Sequence, residues 1–280
     1  MGLTIHYKLS LPEKTLLPEV RQKLGALRQC CLDLPFKEVG ELMEFKGEEC
    51  KFERLPREHP QRWFLCQADT FVNFKYGRGG KPVPVEGFEN GTYSRSVCPQ
   101  QIVGFSTWPG AGCEEANVGL SRFPKTVVIA NKWTGKQHRL PVKHGGSFFW
   151  SSFCKTQYAN SPECGGIENF LRCHLSVVAM LDAAKKIGFA VECNDEGAYW
   201  QKRDLKALVK EIGQWDAFIA AFGGALKDAT EETGLTIEAP ITERKDFEQL
   251  EAQGQSLLPP GVGEVLRNLV ETTSKGALSA

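Results

Sequence analysis

A strict alternation of apolar and polar residues near the start of the chain limits its fold more than any other feature. In the segment LTIHYKLSL the apolar side chains fall at every second position: Leu3, Ile5, Tyr7, Leu9 and Leu11. This period of two predicts a β-strand with one buried face. His6 falls on the polar face, so we expect it to be solvated.

An amphipathic helix is predicted directly after this strand. From Leu17 to Leu34 the apolar residues recur at spacings of three and four, which places them in one stripe against a core. Thr15 is expected to cap the helix and Pro35 to end it. A second strand is predicted in EVGELMEFKG, residues 38–47. Together these elements indicate a sheet with a helix on one side.

The middle of the chain, residues 62–142, is predicted to be rich in strands. Residues 62–72, RWFLCQADTFV, are apolar on both faces and are predicted to form a central strand. The segments QQIVGFSTW, EANVGLSRF, TVVIANKW and KQHRLPVK follow with turn signals between them. Such short connections predict antiparallel neighbours, because parallel strands need a longer crossover.

The second half is predicted to be helical. Residues 168–187 have strong helical periodicity and end at Gly188, and a later helix is expected to begin at Asp204 and end at Gly223 and Gly224. The fold class predicted is α+β, with a mixed, mainly antiparallel sheet, an N-terminal strand-helix-strand unit and a helical C-terminal half. We expect a single domain over residues 1–227. Residues 228–280 are predicted to form a peripheral tail, partly disordered or docked.

Charge and composition exclude some classes of function. The chain has 34 Lys and Arg residues against 34 Asp and Glu residues, a net charge of zero. We therefore expect no obligatory nucleic-acid or anionic-membrane partner, although a local basic patch is compatible with this balance. The sequence has no apolar run of membrane-spanning length and no secretory signal, so a cytosolic location is predicted. The ten cysteines lack any C-x2-C spacing and are expected to be reduced and mostly structural.

Four segments concentrate residue types that could carry chemistry. The glycine-rich stretch GFSTWPGAGCEEANVGLSRFP, residues 104–124, is either a tight connection or the lip of a pocket, since an aromatic ring and a carboxylate stand beside its turns. Residues 143–159 place Cys154 beside Lys155, which would lower the pKa of its thiol, unless Cys154 is buried and inert in a core with the neighbouring aromatics. Helical projection turns His174 inward, as a core histidine or a general base. Residues 192–204 repeat the pairing of carboxylates with aromatics.

These segments give an explicit set of predicted site residues. The predicted catalytic residues are Glu114, Glu115, His144, Cys154 and His174, and the predicted substrate-binding residues are Trp108, Lys155, Gln157, Tyr158, Asp195 and Glu196. No paired metal-ligand spacing is present, so no metal ligands are predicted. KYGRGGKP, residues 75–82, lacks the spacing of a phosphate-binding loop and indicates only a basic loop able to attract anions.

Two hypotheses about function remain open at this level. The first is an enzyme for a small polar or aromatic substrate, with a pocket walled by residues 108–115, 144–158 and 195–200. The second is a non-catalytic binding or scaffold protein that uses exposed aromatics and the C-terminal tail as an interface. The sequence identifies no cofactor or substrate and leaves the oligomeric state open.

Overall fold

The computed structural model describes residues 3–230 and 239–267. The strands are β1 (Thr4–Ser10), β2 (Glu38–Val39), β3 (Met43–Lys46), β4 (Thr70–Tyr76), β5 (Pro82–Pro84), β6 (Tyr93–Val97), β7 (Gln101–Phe105), β8 (Thr107–Trp108), β9 (Val118–Arg122), β10 (Thr126–Ala130), β11 (Gln137–Pro141), β12 (Phe148–Lys155) and β13 (Ala190–Asp195). The helices are α1 (Leu17–Leu32), α2 (Gln61–Gln67), α3 (Gly166–Ile187), α4 (Tyr199–Lys202), α5 (Leu205–Thr230) and α6 (Phe247–Gly254). The predicted α+β class is confirmed.

The main sheet has six strands in the order β13-β1-β12-β9-β7-β3, and every neighbouring pair is antiparallel. β1 alternates as predicted, with Ile5, Tyr7 and Leu9 buried while His6 and Lys8 are exposed. The buried face of the sheet packs against α1 and α3 in one large apolar core. The apolar alternation of β1 therefore orients this sheet toward its two helices.

A smaller β unit stands beside the main sheet. It comprises residues 70–98, which form the three-stranded sheet β5-β4-β6, and residues 123–145, which contain the β10-β11 hairpin. These two parts share a separate apolar core of Val72, Phe74, Val97, Phe123, Ile129, Leu140 and Val142. We refer to residues 70–98 and 123–145 as the small β unit.

The prediction of one central strand over residues 62–72 is wrong. Residues 61–67 form α2, and the strand begins only at Thr70. A short run that is apolar on both faces fits a buried helix as well as a strand. Tertiary packing decides between them, because Phe64 and Leu65 enter the main core and the Phe64 ring lies against Gly104, where a Cβ would collide with it.

Two predicted helix boundaries also differ. Thr15 does not cap α1, since its hydroxyl donates to the carbonyl oxygen of Pro12 at 2.7 Å. Gly223 and Gly224 do not end α5, which continues to Thr230. Gly224 instead gives space to the side chain of Glu251 on α6, where a Cβ would clash, so this glycine serves close helix packing. The predicted cap at Asp204 is confirmed, because its carboxylate accepts from the backbone N–H of Ala207 at 3.0 Å.

The C-terminal residues that the structure describes lie along α5. α6 packs against that helix, and Gly254 approaches the carbonyl of Ala217 too closely for any side chain. Within the described ranges, no helix has the length and apolar character needed to cross a membrane. The predicted tail also includes residues 231–238 and 268–280, which lie outside the described residues.

Candidate functional site

The glycine-rich segment 104–124 is packed tightly against its neighbours. A Cβ at Gly110 would collide with the guanidinium group of Arg172, and one at Gly112 would collide with the backbone of Tyr158. Arg172 also donates to the carbonyl of Pro109 at 2.9 Å, which attaches the segment to α3. These contacts favour the interpretation of the segment as a tight connection, and they account for its glycines.

Replacing Gly112 with alanine tests this packing. Gly112 has a φ of +75° and Gly87 has a φ of +78°, but only at Gly112 would a Cβ meet other atoms. Left-handed backbone strain should destabilise both alanine variants by about 1–2 kcal/mol. Thermal unfolding should show a clearly larger loss for Gly112→Ala than for Gly87→Ala, and equal losses would contradict close packing.

The two adjacent glutamates have different hydrogen-bond partners. Glu114 is exposed, and its Oε2 accepts from the backbone N–H of Lys155 at 3.2 Å. Glu115 accepts from Asn117 Nδ2 at 2.8 Å. Trp108 donates from Nε1 to the carbonyl of Cys113 at 3.1 Å. Each of these side chains therefore stabilises the connection itself.

Two of the four predicted residues around the end of β12 are buried. Cys154 is fully buried and donates from Sγ to the carbonyl of Glu114 at 3.2 Å, and burial raises the pKa of its thiol. Gln157 is also buried, whereas Tyr158 is exposed beneath the Lys155 ammonium, which lies 4.7 Å from the ring centroid. A neutral, buried thiol is a poor nucleophile, so this environment gives no support to catalysis by Cys154.

His174 faces inward as the helical projection predicts, and it has partners on both ring nitrogens. Nε2 lies 3.3 Å from Asp195 Oδ2, and Nδ1 lies 2.9 Å from the Thr156 hydroxyl. Because a carboxylate only accepts, the hydrogen between these two groups belongs to Nε2. All three side chains are buried. This arrangement has the order nucleophile, base and carboxylate, but substrate has no path to it in this conformation.

Asp195 connects this buried group to the turn that follows β13. Its two oxygens accept from the backbone N–H groups of Gly197 and Trp200, each at 2.8 Å. Burial raises the pKa of Asp195, but the hydrogen bonds from His174 and the two N–H groups outweigh it and leave the pKa below its ordinary value. Asp195 is therefore an ionised structural carboxylate.

The structure brings most of the predicted segments together but leaves His144 apart. Residues 113–114, 154–158 and 195–196 meet at one end of the main sheet. There Thr4 pairs with Lys155, and its backbone N–H donates to Glu196 Oε2 at 2.9 Å. His144 instead stacks on Phe149, with ring centroids 3.9 Å apart. Six residues of strand separate Phe149 from Lys155, roughly 20 Å at 3.3 Å per residue. His144 therefore cannot act in a site at that end.

The cavities lie away from the predicted site residues, although Ser151, Ser152 and Phe153 of the predicted wall 144–158 line one of them. A cavity of about 400 Å³ on the outer face of the main sheet is lined by residues that include His6, Lys8 and Glu192. Two further cavities adjoin α5 and the Glu243–Lys245 segment. None of these three is lined by a predicted site residue. In the described part of the chain, no group of three or more His, Cys, Asp or Glu side chains is arranged to hold a metal ion.

The small β unit concentrates positive charge. Its residues include nine lysines and arginines but only two glutamates, so it carries a net charge of +7 and the remainder of the chain an equal negative charge. One glutamate, Glu89, pairs with Lys75 at 2.9 Å. The zero net charge of the whole chain therefore hides a strongly basic unit.

A set of cationic and aromatic side chains forms one surface of this unit. The members lie on the loop after β4, on β4 and β6, and on the turn after β10, and we call them the basic aromatic patch: Tyr76, Arg78, Lys81, Tyr93, Lys132 and Trp133. Arg78, Lys81 and Lys132 are exposed, and no described carboxylate lies within ion-pair distance of any of them. These three cations are therefore available to an external anion.

Asn131 fixes the two loops of the patch to each other. Its Nδ2 donates to the carbonyl of Gly79 at 2.9 Å, and its Oδ1 accepts from the backbone N–H groups of Trp133 and Thr134 at 3.0 and 2.9 Å. The backbone N–H of Lys132 donates to the carbonyl of Gly80 at 3.1 Å. Residues far apart in sequence are thus held in a defined arrangement.

Sequence reasoning identified only part of this patch. The segment KYGRGGKP predicts a basic loop, but no local pattern predicts a role for Tyr93, Lys132 or Trp133. Counting charge segment by segment would have revealed the basic unit, since residues 123–145 contain no acidic residue.

Comparison with known proteins gives no function for the chain. No protein-family model, curated protein sequence or solved structure matches it. A function must therefore be inferred from the chain's own residues.

Proposed function

We propose that this protein is a non-catalytic binding protein that captures a polyanion on the basic aromatic patch. The observation that carries the proposal is the segregation of charge, with +7 on the small β unit in a chain of zero net charge. A surface with one sign of charge raises the local concentration of oppositely charged ligands and speeds their association. The ligand class that fits is a chain of phosphate or sulfate groups.

The pairing of the cations supports this proposal. Some cations elsewhere on the surface pair with carboxylates, such as Lys8 with Glu192 at 2.9 Å and Arg203 with Asp182 at 2.7 Å. Arg78, Lys81 and Lys132 have none among the described residues. Their charges are not neutralised within the chain, so an incoming anion need not displace an internal partner.

The environment of the predicted catalytic residues favours binding over catalysis. His174 and Cys154 are fully buried and their polar atoms are engaged. His144 lies at the other end of β12. A general base must come within hydrogen-bond reach of a substrate proton. The enzyme hypothesis stays a prediction, without a geometric argument in its favour.

Charge reversal tests the proposal. The triple variant Arg78→Glu, Lys81→Glu and Lys132→Glu should lower the affinity for heparin about 100-fold or more at physiological salt, because three cations that meet anionic groups become repulsive. The measurement is a binding titration at several salt concentrations. Wild-type affinity should fall steeply with salt, and the slope of log K against log salt should become shallower by about two to three in the variant.

A matched control separates a local site from bulk charge. Lys14, Lys206 and Lys210 are exposed and belong to other parts of the chain, and reversing all three gives the same change in net charge. This control should bind heparin within a few-fold of wild type. Equal loss in both triple variants, or no salt-dependent binding by the wild type, would contradict the proposal.

A further inference from the structure

The aromatic members of the patch bear on which polyanion it takes, an inference that rests on the proposed function. Heparin and duplex nucleic acid present charge on their surface but no accessible flat rings. A single-stranded nucleic acid presents both phosphates and the faces of its bases. Aromatic rings beside the unpaired cations therefore favour a single strand over heparin or a duplex.

Trp133 is held as an exposed platform. Its side chain is 66% exposed. The ring lies against Gly80, where there is no room for a Cβ, and the backbone N–H of Trp133 is fixed by Asn131. The ring is therefore exposed and held in one position. Its fixed position reduces the entropy lost when a base stacks on it.

Tyr76 and Tyr93 form a second aromatic surface next to it. Their ring centroids lie 5.1 Å apart, and the Tyr93 ring also stacks on Phe74 at 5.8 Å. Tyr93 remains 44% exposed. The Lys132 ammonium lies 5.8 Å from both tyrosine ring centroids, one residue before Trp133. A cation thus lies over both tyrosine rings.

A surface that combines exposed cations with exposed aromatic rings suits a single-stranded nucleic acid. Proteins that bind single strands without sequence preference combine a cationic track for the backbone with aromatic rings on which successive bases stack. Arg78, Lys81 and Lys132 can contact phosphates, while Trp133 and Tyr93 offer ring faces. In a duplex the bases are already stacked on each other, so exposed rings would gain no base contact.

We propose that the basic aromatic patch binds single-stranded nucleic acid, with bases stacked on Trp133 and Tyr93 and phosphates held by Arg78, Lys81 and Lys132. The zero net charge of the chain led us to expect no obligatory nucleic-acid partner, and the charge of the small β unit removes the basis of that expectation. No base-edge contacts are required, so binding should tolerate many sequences.

The test compares three ligands and two kinds of variant. The ligands are a fluorescein-labelled 15-nucleotide single strand, in DNA and RNA versions, the matching duplex, and heparin. Trp133→Leu and Tyr93→Leu should each weaken single-strand binding about 5- to 100-fold, the effect of losing one stacked base. Duplex and heparin binding should change less than twofold. Trp133→Phe should restore most of the lost affinity, because it retains a ring.

The outcomes separate this inference from the proposed function. Unchanged single-strand affinity in both leucine variants would overturn the stacking inference, even if charge reversal abolished binding to all three ligands. Equal losses for all three ligands would also overturn it, since the rings would then contribute nothing specific to exposed bases. If the wild type bound none of the three ligands in a salt-dependent way, both proposals would be overturned. Thermal unfolding of each variant identifies those that fail to fold. If Trp133→Leu does not fold, the single variants Trp133→Phe and Tyr93→Leu still test the stacking inference.

Discussion

Replacing Asp195 with alanine is expected to destabilise the protein by about 3 kcal/mol or more at neutral pH. The carboxylate accepts from the His174 ring and from the backbone N–H groups of Gly197 and Trp200, and it is only 4% exposed. Its removal would leave three donors without an acceptor in the protein interior. Denaturant unfolding measures the loss.

The same carboxylate predicts a pH dependence. The pKa of Asp195 lies below its ordinary value in the folded protein, because hydrogen bonds to the ionised form outweigh burial. Its contribution is therefore fully present above the unfolded pKa, near 4, and is lost as the pH falls through the folded pKa. The stability difference between wild type and Asp195→Ala should shrink as the pH is lowered below about 4.

An exposed aspartate on α3 provides the control. Asp182 pairs with Arg203 at 2.7 Å, but both side chains are partly exposed. Asp182→Ala should change the free energy of unfolding by less than about 1 kcal/mol. If Asp195→Ala were no more destabilising than this control, the buried network would not hold β13 against α3 as described.

Replacing Arg244 with methionine is the second change expected to have a large effect, of about 3 kcal/mol. Arg244 joins the segment after residue 239 to α5 through Asp216 Oδ2 at 2.8 Å, and the side chains are 7% and 5% exposed. Burial raises the pKa of Asp216, and Arg244 opposes that rise. Without Arg244 the buried carboxylate would keep only Asn160 as its side-chain partner in the described residues.

Acid should partly rescue this variant. Because the pKa of Asp216 is raised in the folded state, ionisation of this group disfavours folding, and the unfavourable contribution disappears as the pH falls below the folded pKa. Removing Arg244 should enlarge this effect, so Arg244→Met should regain stability relative to wild type as the pH falls through the folded pKa of Asp216. Hydrogen exchange of α5 and α6 would show whether the loss is local or global.

The double variant Arg244→Met and Asp216→Asn supplies the decisive comparison. Asparagine keeps the shape and a hydrogen-bond acceptor for Asn160 without a charge. Most of the stability lost in Arg244→Met should return, since the penalty comes from an uncompensated buried charge. If the double variant were as unstable as the single one, the loss would have to arise from the packing of the arginine stem or from its ion pair with Asp246.

Local periodicity in the sequence was enough to predict β1, α1 and α3. The alternation through Ile5 and Tyr7, and the helical spacing that ends at Gly188, each determine which face is buried without reference to distant residues. The α+β class and the antiparallel pairing follow from the order and spacing of such segments. The inward orientation of His174 was predicted from its position on the helix.

Where a local sequence pattern fits two structures, tertiary contacts decide between them. Residues 61–67 are helical because the core beneath Gly104 admits the ring of Phe64, and α5 continues past Gly224 because α6 approaches it there. Neither neighbour is visible in the local sequence. A short apolar run or a pair of glycines has the same pattern in either structural context.

The functional surfaces depended still more on the fold. β1 pairs with both β12 and β13, and this non-sequential strand order brings Thr156, His174 and Asp195 into one buried group. The sequence contains the nine cations of the small β unit, but only the packing of the β10-β11 hairpin against β4, β5 and β6 places Lys132 beside Tyr93 and Trp133 against Gly80. The sequence by itself determined which elements form and which faces they bury, because those depend on near neighbours. The tertiary structure decided which charges and rings share a surface, because that depends on contacts between residues fifty or more positions apart.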